Sequence, residues 1–397
     1  MNNPWGELHG VKPVKLTREL FEGKHNCKNE DDVRNILKER YQASEEKIDL
    51  LVEIYKYQDK MLGTPDENSI GLYIGIPFCP TRCLYCSFTS NQKPKEEIDR
   101  YLVALKEEIK YCGKRMKETG IYPESIYIGG GTPTTLDEYQ LKDLIDTVLQ
   151  YIDLCKLKEF TIEAGRPDTI TREKLRVMKD NGISRISINP QSMKERTLEL
   201  IGRSHSPEDI RNAFKLSDEE GFDIINCDLI AGLPEETPLD FENSLKEIIS
   251  LKPKNITVHT LALKRASRLI ELDDSYHEKE KDIVPVMIDK ASELLRANGY
   301  TPYYLYRLKR QAASLENVGW QKDDTPGIYN IRIMDEKQSI LALGAGGISK
   351  IYYPKENRLE RIPNVSNYEI YIERLAEMLD RKENNFFKEV KNANQHS

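Results

Sequence analysis

Cys79, Cys83 and Cys86 stand in the segment Tyr73-Ile-Gly-Ile-Pro-Phe-Cys79-Pro-Thr-Arg-Cys83-Leu-Tyr-Cys86-Ser-Phe, a C-x3-C-x2-C loop. Three thiolates on one short loop can reach three irons of a cubane cluster and leave the fourth iron without a protein ligand. An open iron site suits a cluster that binds a small molecule and does chemistry on it. A structural zinc site would need four ligands, and no second C-x2-C or nearby His supplies the fourth. A disulfide would strand one thiol, and the remaining cysteines, Cys27, Cys112, Cys155 and Cys227, are scattered. The loop reads as a [4Fe–4S] cradle.

Such a loop must be held by rigid elements. It follows directly on the strand-like run Gly71–Ile76. Further runs of this kind fall at Ser125–Ile128, Glu159–Ala164, Arg185–Asn189, Ile224–Ile230 and Ile256–Leu263. Amphipathic helical patterns separate them near 94–117, 136–152, 171–181, 206–221 and 238–251, with another near 279–298. Six βα units in series predict an α/β fold, a parallel sheet curled into a partial or complete (β/α) barrel with its ligands at the C-terminal edge. Residues 1–64 are expected as an N-terminal helical preface, 65–308 as the barrel, and 309–397 as a small α+β C-terminal domain and candidate substrate lid. Within the last section, Gly299–Arg307 leads in as a strand, Ile328–Ile333 and Ile340–Ile348 are predicted strands, and Asn367–Asp380 a helix. The closing KNANQHS is polar and expected to fray.

A net charge of −7 gives no global basic field for nucleic acid, while leaving room for a local cationic pocket. No run approaches the 18 apolar residues of a membrane span, and the opening MNNPWGELHGVKPVKL lacks the apolar core of a signal peptide. The expectation is a cytoplasmic protein.

The cysteine loop with Tyr85 before its last cysteine resembles the radical S-adenosylmethionine (SAM) signature. The wider YIGIPFCPTRCLYCSF resembles the oxygen-independent coproporphyrinogen III dehydrogenase (oxidase) family. The likeness continues through GGGTPT (129–134), Gln191-Ser, Gly202-Arg203, CDLIAGLP (227–234), TVHTLALKRAS (257–267), YYLYR (303–307), LENVGW (315–320) and ALGAGGISK (342–350). It runs from about residue 4 to 375 and is nearest the long Gram-positive-type variant without its extra N-terminal domain.

This resemblance implies that Cys79, Cys83 and Cys86 carry the cluster that cleaves SAM. It assigns Gly129, Gly130, Gly131 and Thr132 to the methionyl amino group, where glycines allow close backbone approach. Glu163 and Asp228 would hold ribose hydroxyls, and Arg203 would pair with the SAM carboxylate. Tyr73, Gln191, Ile230 and Ala262 fall where the family contacts SAM, while His259 reads as strand-end packing. The implied reaction turns two propionates of coproporphyrinogen III into vinyl groups, with a reducing donor such as flavodoxin or ferredoxin. Lys264, Arg265, Arg268, Arg307, Lys309 and Arg310 are the candidate cations for the tetrapyrrole carboxylates; the bland alternative is a solvated basic face.

Two departures bear on the substrate. Phe88 stands where the dehydrogenases carry a fourth cysteine, associated with a second SAM, and Gly75 where they usually have His. The haem chaperones of the same branch also lack that cysteine, but usually keep the His and bear a C-terminal His-Asn motif. Here the pair is His25-Asn26, in the preface. Three readings follow: the dehydrogenase, a haem-binding or haem-transfer protein, and a radical SAM enzyme acting on another tetrapyrrole or as a methyltransferase.

Overall fold

The computed structural model describes residues 3–8, 12–86, 90–262, 282–308 and 315–390. Six strands carry the predicted βα rhythm: β1 (Ser69–Ile76), β2 (Tyr122–Gly130), β3 (Glu159–Gly165), β4 (Arg185–Gln191), β5 (Ile225–Ala231) and β6 (Asn255–Thr260). Each pairs in parallel with the next. Nearly every strand residue is buried, as expected when helices cover one face and a filled barrel interior the other. The helices between start where side chains cap them. Asp137, Ser206 and Thr237 each accept the third backbone N–H of their helix, in reciprocal capping boxes with Gln140, Asp209 and Asp240.

The barrel is open. Strands β7 (Thr301–Tyr306) and β8 (Asn317–Gln321) extend one edge, β8 running antiparallel to β6. At the other edge β9 (Ile340–Leu343) joins β1 in parallel, followed by antiparallel β10 (Ile348–Tyr353) and β11 (Arg358–Pro363). The described sheet has eleven strands in the order β11-β10-β9-β1-β2-β3-β4-β5-β6-β8-β7. The section beyond 309, expected as a small α+β C-terminal domain, supplies strands to both edges of the barrel's sheet. Its last helices, Tyr368–Glu373 and Leu375–Lys382, pack on the long helix Lys95–Thr119. Lys382 and Glu108 form a fully buried ion pair there, 2.7 Å apart.

Three expectations need correction. Ile328–Ile333, predicted as a strand, lies in a helix, Ile328–Asp335. Its N-terminal N–H groups are capped from β3, where Glu159 accepts from Ile328 at 2.7 Å and Tyr329 at 3.3 Å. Its Arg332 reaches Glu124 at 2.9 Å and its Asp335 Arg18 at 2.9 Å. Ile340–Ile348 is two strands hinged at Gly344 and Gly346, both at positive φ. Asn367–Asp380 is two helices broken at Arg374.

The preface folds as expected into helices, Pro13–Phe21, Glu30–Asn35 and Glu45–Met61, and the last of these packs on β7. Ahead of them Trp5 is wholly buried, its indole donating to Glu316 at 2.7 Å, and Lys47 completes the set on Glu316 at 2.8 Å.

Candidate functional site

At the C-terminal edge of the parallel strands lies a cavity of about 440 Å³. Cys79, Cys83 and Cys86 all line it, none of them in a disulfide. Their loop is anchored at its base by Phe78, fully buried edge-on against Tyr101 and Tyr368, and by backbone bonds from Cys79 N to Asn91 O and Asn91 N to Pro77 O. Burial pushes the Cys79 thiol up, against the opposing influence of a Thr132 hydroxyl 3.5 Å from its sulfur. Among the described residues no three Cys, His, Asp or Glu side chains crowd around one point as ligands of a single ion would. Ligands of a cubane bind three different irons and stand farther apart.

The glycine segment after β2 lies directly along this loop. Gly131 N donates to Ile76 O at 2.8 Å and Thr132 N to Phe78 O at 2.7 Å. A Cβ on Gly131 would sit 2.4 Å from the Phe78 carbonyl oxygen and 3.0 Å from Cys79 Sγ, so only glycine lets the two loops meet. Glu163, on β3, accepts from Tyr127 at 2.5 Å and from Gly130 N at 3.3 Å. Burial, helped by the charge of Asp228, raises its carboxyl to about 7.

In the cavity wall Gln191 Oε1 and Arg203 Nε are buried without a partner among the described residues. Gln191 holds a left-handed backbone at φ 70°, a strained conformation for a non-glycine residue. The rest of the Arg203 guanidinium is committed, donating to Tyr85 at 2.7 Å and to Asn189 O at 3.2 Å. A buried unpaired donor or acceptor costs about 1–3 kcal/mol, and a polar ligand in the cavity would satisfy both. On the facing wall Asp228 accepts from Asn226 at 2.8 Å and lies 3.6 Å from His259 Nε2, whose Nδ1 is 3.2 Å from the Tyr306 hydroxyl. Tyr306 stacks on Tyr304.

A model of the radical SAM superfamily matches residues 73–248. The oxygen-independent coproporphyrinogen-III oxidase-like protein HemZ of Bacillus subtilis is 37% identical over 385 residues, 95% of this chain and 76% of that one. The chain belongs to the radical SAM superfamily, in the coproporphyrinogen oxidase-like family. The haem chaperone HemW of Bacillus subtilis is 37% identical over 48% of this chain and 49% of its own. The Escherichia coli coproporphyrinogen III oxidase HemN shares the fold with a TM-score of 0.62 at 22% identity, over 79% of this chain and 70% of that one.

The cofactors of this radical SAM protein are accordingly a [4Fe–4S] cluster and SAM, and the cavity fits both. Three thiols lie on one loop, a side-chain-free backbone cradle runs beside them, and unpartnered buried polar atoms line the walls. The structure brings Tyr73, Gly130, Gly131, Thr132, Glu163, Gln191, Arg203, Asp228, Ile230 and Ala262 together around the cavity, while Gly129 sits one residue back in β2. Arg307 is placed elsewhere: it donates to Leu8 O at 2.9 Å and lies over the Trp5 ring, outside the cavity lining. Phe88, Lys264, Arg265, Arg268, Lys309 and Arg310 lie outside the described residues. Gly75 is buried in β1, its carbonyl accepting from Tyr101 at 2.6 Å.

Sequence reading missed Tyr127, Arg166, Tyr304 and Tyr306 on the wall and set His259 aside. Strand alternation carried a signal for Tyr127, which shares a face with Gly129. The pairing of Tyr306 with His259 joins β7 to β6 across the intervening β8 and leaves no local trace.

Proposed function

We propose that this chain is an enzyme that oxidatively decarboxylates two propionates of coproporphyrinogen III to vinyl groups, giving protoporphyrinogen IX in anaerobic haem biosynthesis. The observation that carries this reading is where the cavity's second half comes from. The superfamily segment ends at residue 248, yet Thr257, His259, Tyr304, Tyr306, Asn317, Asn330 and Met334 line the cavity. The oxidase-like relative aligns over 95% of this chain, whereas the HemW relatives align over shorter parts of it, from 48% to 73%.

When bound, the reduced cluster and SAM supply a carbon-centred radical able to take a hydrogen atom. The chain's own residues set its surroundings. Glu163 and Asp228 present acceptors to the ribose, and Arg203 Nε is left to meet the SAM carboxylate. The Gly130–Thr132 backbone leaves room for the methionyl end. Tyr73, Tyr127, Tyr304 and Tyr306 wall the cavity with aromatic surface that keeps water from the reacting carbon. Lys264, Arg265 and Arg268 follow in sequence on Ala262, and Arg310 on Leu308, both cavity-lining residues. They are the proposed partners of the substrate carboxylates. Net loss of carbon dioxide and two electrons per propionate calls for an electron acceptor as well as the flavodoxin- or ferredoxin-like donor that reduces the cluster.

The second reading, a haem-binding or haem-transfer protein, draws on the HemW relatives and on Phe88 in place of the fourth cysteine; action on another tetrapyrrole or as a methyltransferase stays the third. The test is anaerobic: reconstitute and reduce the cluster, add SAM, and quantify 5′-deoxyadenosine with and without coproporphyrinogen III. A substrate-dependent rise with loss of two carboxyl groups from the porphyrinogen is expected. Tight stoichiometric haem binding with no such rise would select the second reading. Turnover retained in full by Cys83→Ala would sink every cluster-based reading.

A further inference from the structure

Three loops meet beside the cysteines. The turn after β3 brings Arg166 and Asp168, and the segment after the helix Glu195–Leu200 brings Ile201 to His205. The backbone of that segment already grips the cysteine loop, with Leu84 N donating to Ile201 O at 3.0 Å and the Thr81 hydroxyl to Gly202 O at 3.4 Å. Arg166 ties all three together. One terminal nitrogen donates to the Thr81 hydroxyl, inside the cysteine loop. The other donates to Ser204 at 2.5 Å and Asp168 at 2.9 Å, and Nε reaches the second Asp168 oxygen at 3.0 Å.

Arg166 is only 3% exposed, yet it lines the cavity together with Cys79 and Cys83. Asp168 does not line it; the carboxylate holds the guanidinium from behind, with His205 Nδ1 3.7 Å away on its far side. The positive end of the pair thus faces the cavity that the thiols line, at Thr81 between Cys79 and Cys83. A neutral side chain could bridge Thr81 and Ser204 without burying a charge, which costs several kcal/mol before pairing. The buried cation therefore calls for a reason beyond holding loops together. Reducing a cluster adds negative charge, and a fixed positive charge nearby favours the reduced state.

We propose that Arg166 is a positioning residue for the cluster: it straps the Cys79–Cys86 loop through Thr81 and places a fixed positive charge beside Cys79 that eases the cluster's one-electron reduction. The inference rests on the cluster and not on the substrate, and its readouts need no porphyrinogen.

The test uses the full chain with reconstituted cluster. Midpoint potentials come from dithionite titration followed by electron paramagnetic resonance, and cluster retention from the rate of iron release to a chelator. Arg166→Gln should make reduction about tenfold less favourable, a shift of about 59 mV to more negative potential for one electron. Arg166→Lys, which keeps the charge and loses the fork, should stay near the wild-type potential while releasing iron faster. Thr81→Val should release iron several-fold faster at an unchanged potential. Wild-type potential and iron retention in Arg166→Gln would overturn the proposal. An equal potential shift in Arg166→Lys would overturn its electrostatic half. If Arg166→Gln assembles no cluster, wild-type iron release in both other variants would overturn the strap.

Discussion

Glu163→Gln should make the cluster-free protein more stable at alkaline pH and a weaker binder of SAM. In the folded chain burial holds the Glu163 carboxyl at about 7, against an ordinary 4.5. Between those values the native state keeps a proton that the unfolded chain has already released. Stability is therefore lost as pH rises through that window, and the loss is complete above about 7. At 1.36 kcal/mol per pKa unit it amounts to about 3 kcal/mol. Glutamine has no proton to lose and escapes this cost. The variant should then be about 3 kcal/mol more stable than wild type near pH 8.5, an advantage that shrinks to about 1 kcal/mol or less near pH 5, where the native wild-type carboxyl is protonated. Urea unfolding of anaerobic apoprotein at the two pH values measures both. Parallel stability curves for the two proteins would refute the account of the buried carboxyl. Ribose hydroxyls donating to the ionised group predict a loss of SAM affinity of roughly tenfold to hundredfold, and unchanged affinity would remove Glu163 from the ribose site.

Other substitutions test the frame around the cavity. Gly131→Ala forces a methyl group against the Phe78 carbonyl and Cys79 Sγ; reconstituted protein should lose most of its cluster absorbance near 400 nm while far-ultraviolet circular dichroism stays native. Lys382→Met leaves Glu108 without its counter-ion in the core, its carboxyl still accepting from Tyr371, Gly344 N and Asn364, where Lys382 now holds it below the ordinary range against the cost of burial. It should cost about 3–5 kcal/mol in urea unfolding, and the double variant Glu108→Gln/Lys382→Met should recover most of that. Trp5→Phe removes the indole bond to Glu316 while Lys47 keeps the carboxylate paired, a loss of about 1–2 kcal/mol by the same assay.

Much of the site was legible because its parts are local. The cysteines share one loop, the glycines follow one strand, and β1 to β6 keep an apolar rhythm that ends within a few residues of the observed boundaries. What escaped depends on residues far apart in the chain. The helix Ile328–Asp335 reads as a strand because isoleucine recurs in it, yet Glu159 caps its first turn from 169 residues upstream. Its buried charges, Arg332 and Asp335, find partners in β2 and in the first helix. Arg307 looked like a substrate cation because a basic cluster follows the seventh strand. The structure spends it on Trp5 and Leu8, residues that nothing near it in sequence announces.

The parallel pairing of β1 with β9 sets an order of events during synthesis. Gly71 pairs with Ile340, 269 residues later (340 − 71). Until that stretch leaves the ribosome, the strand feeding the cysteine loop has one bare edge, open to pairing with any passing strand. The first stretch to emerge with metal-binding chemistry is thus among the last to be locked in place. Stable loading of iron and sulfide is therefore expected only once β9 has emerged and closed that edge.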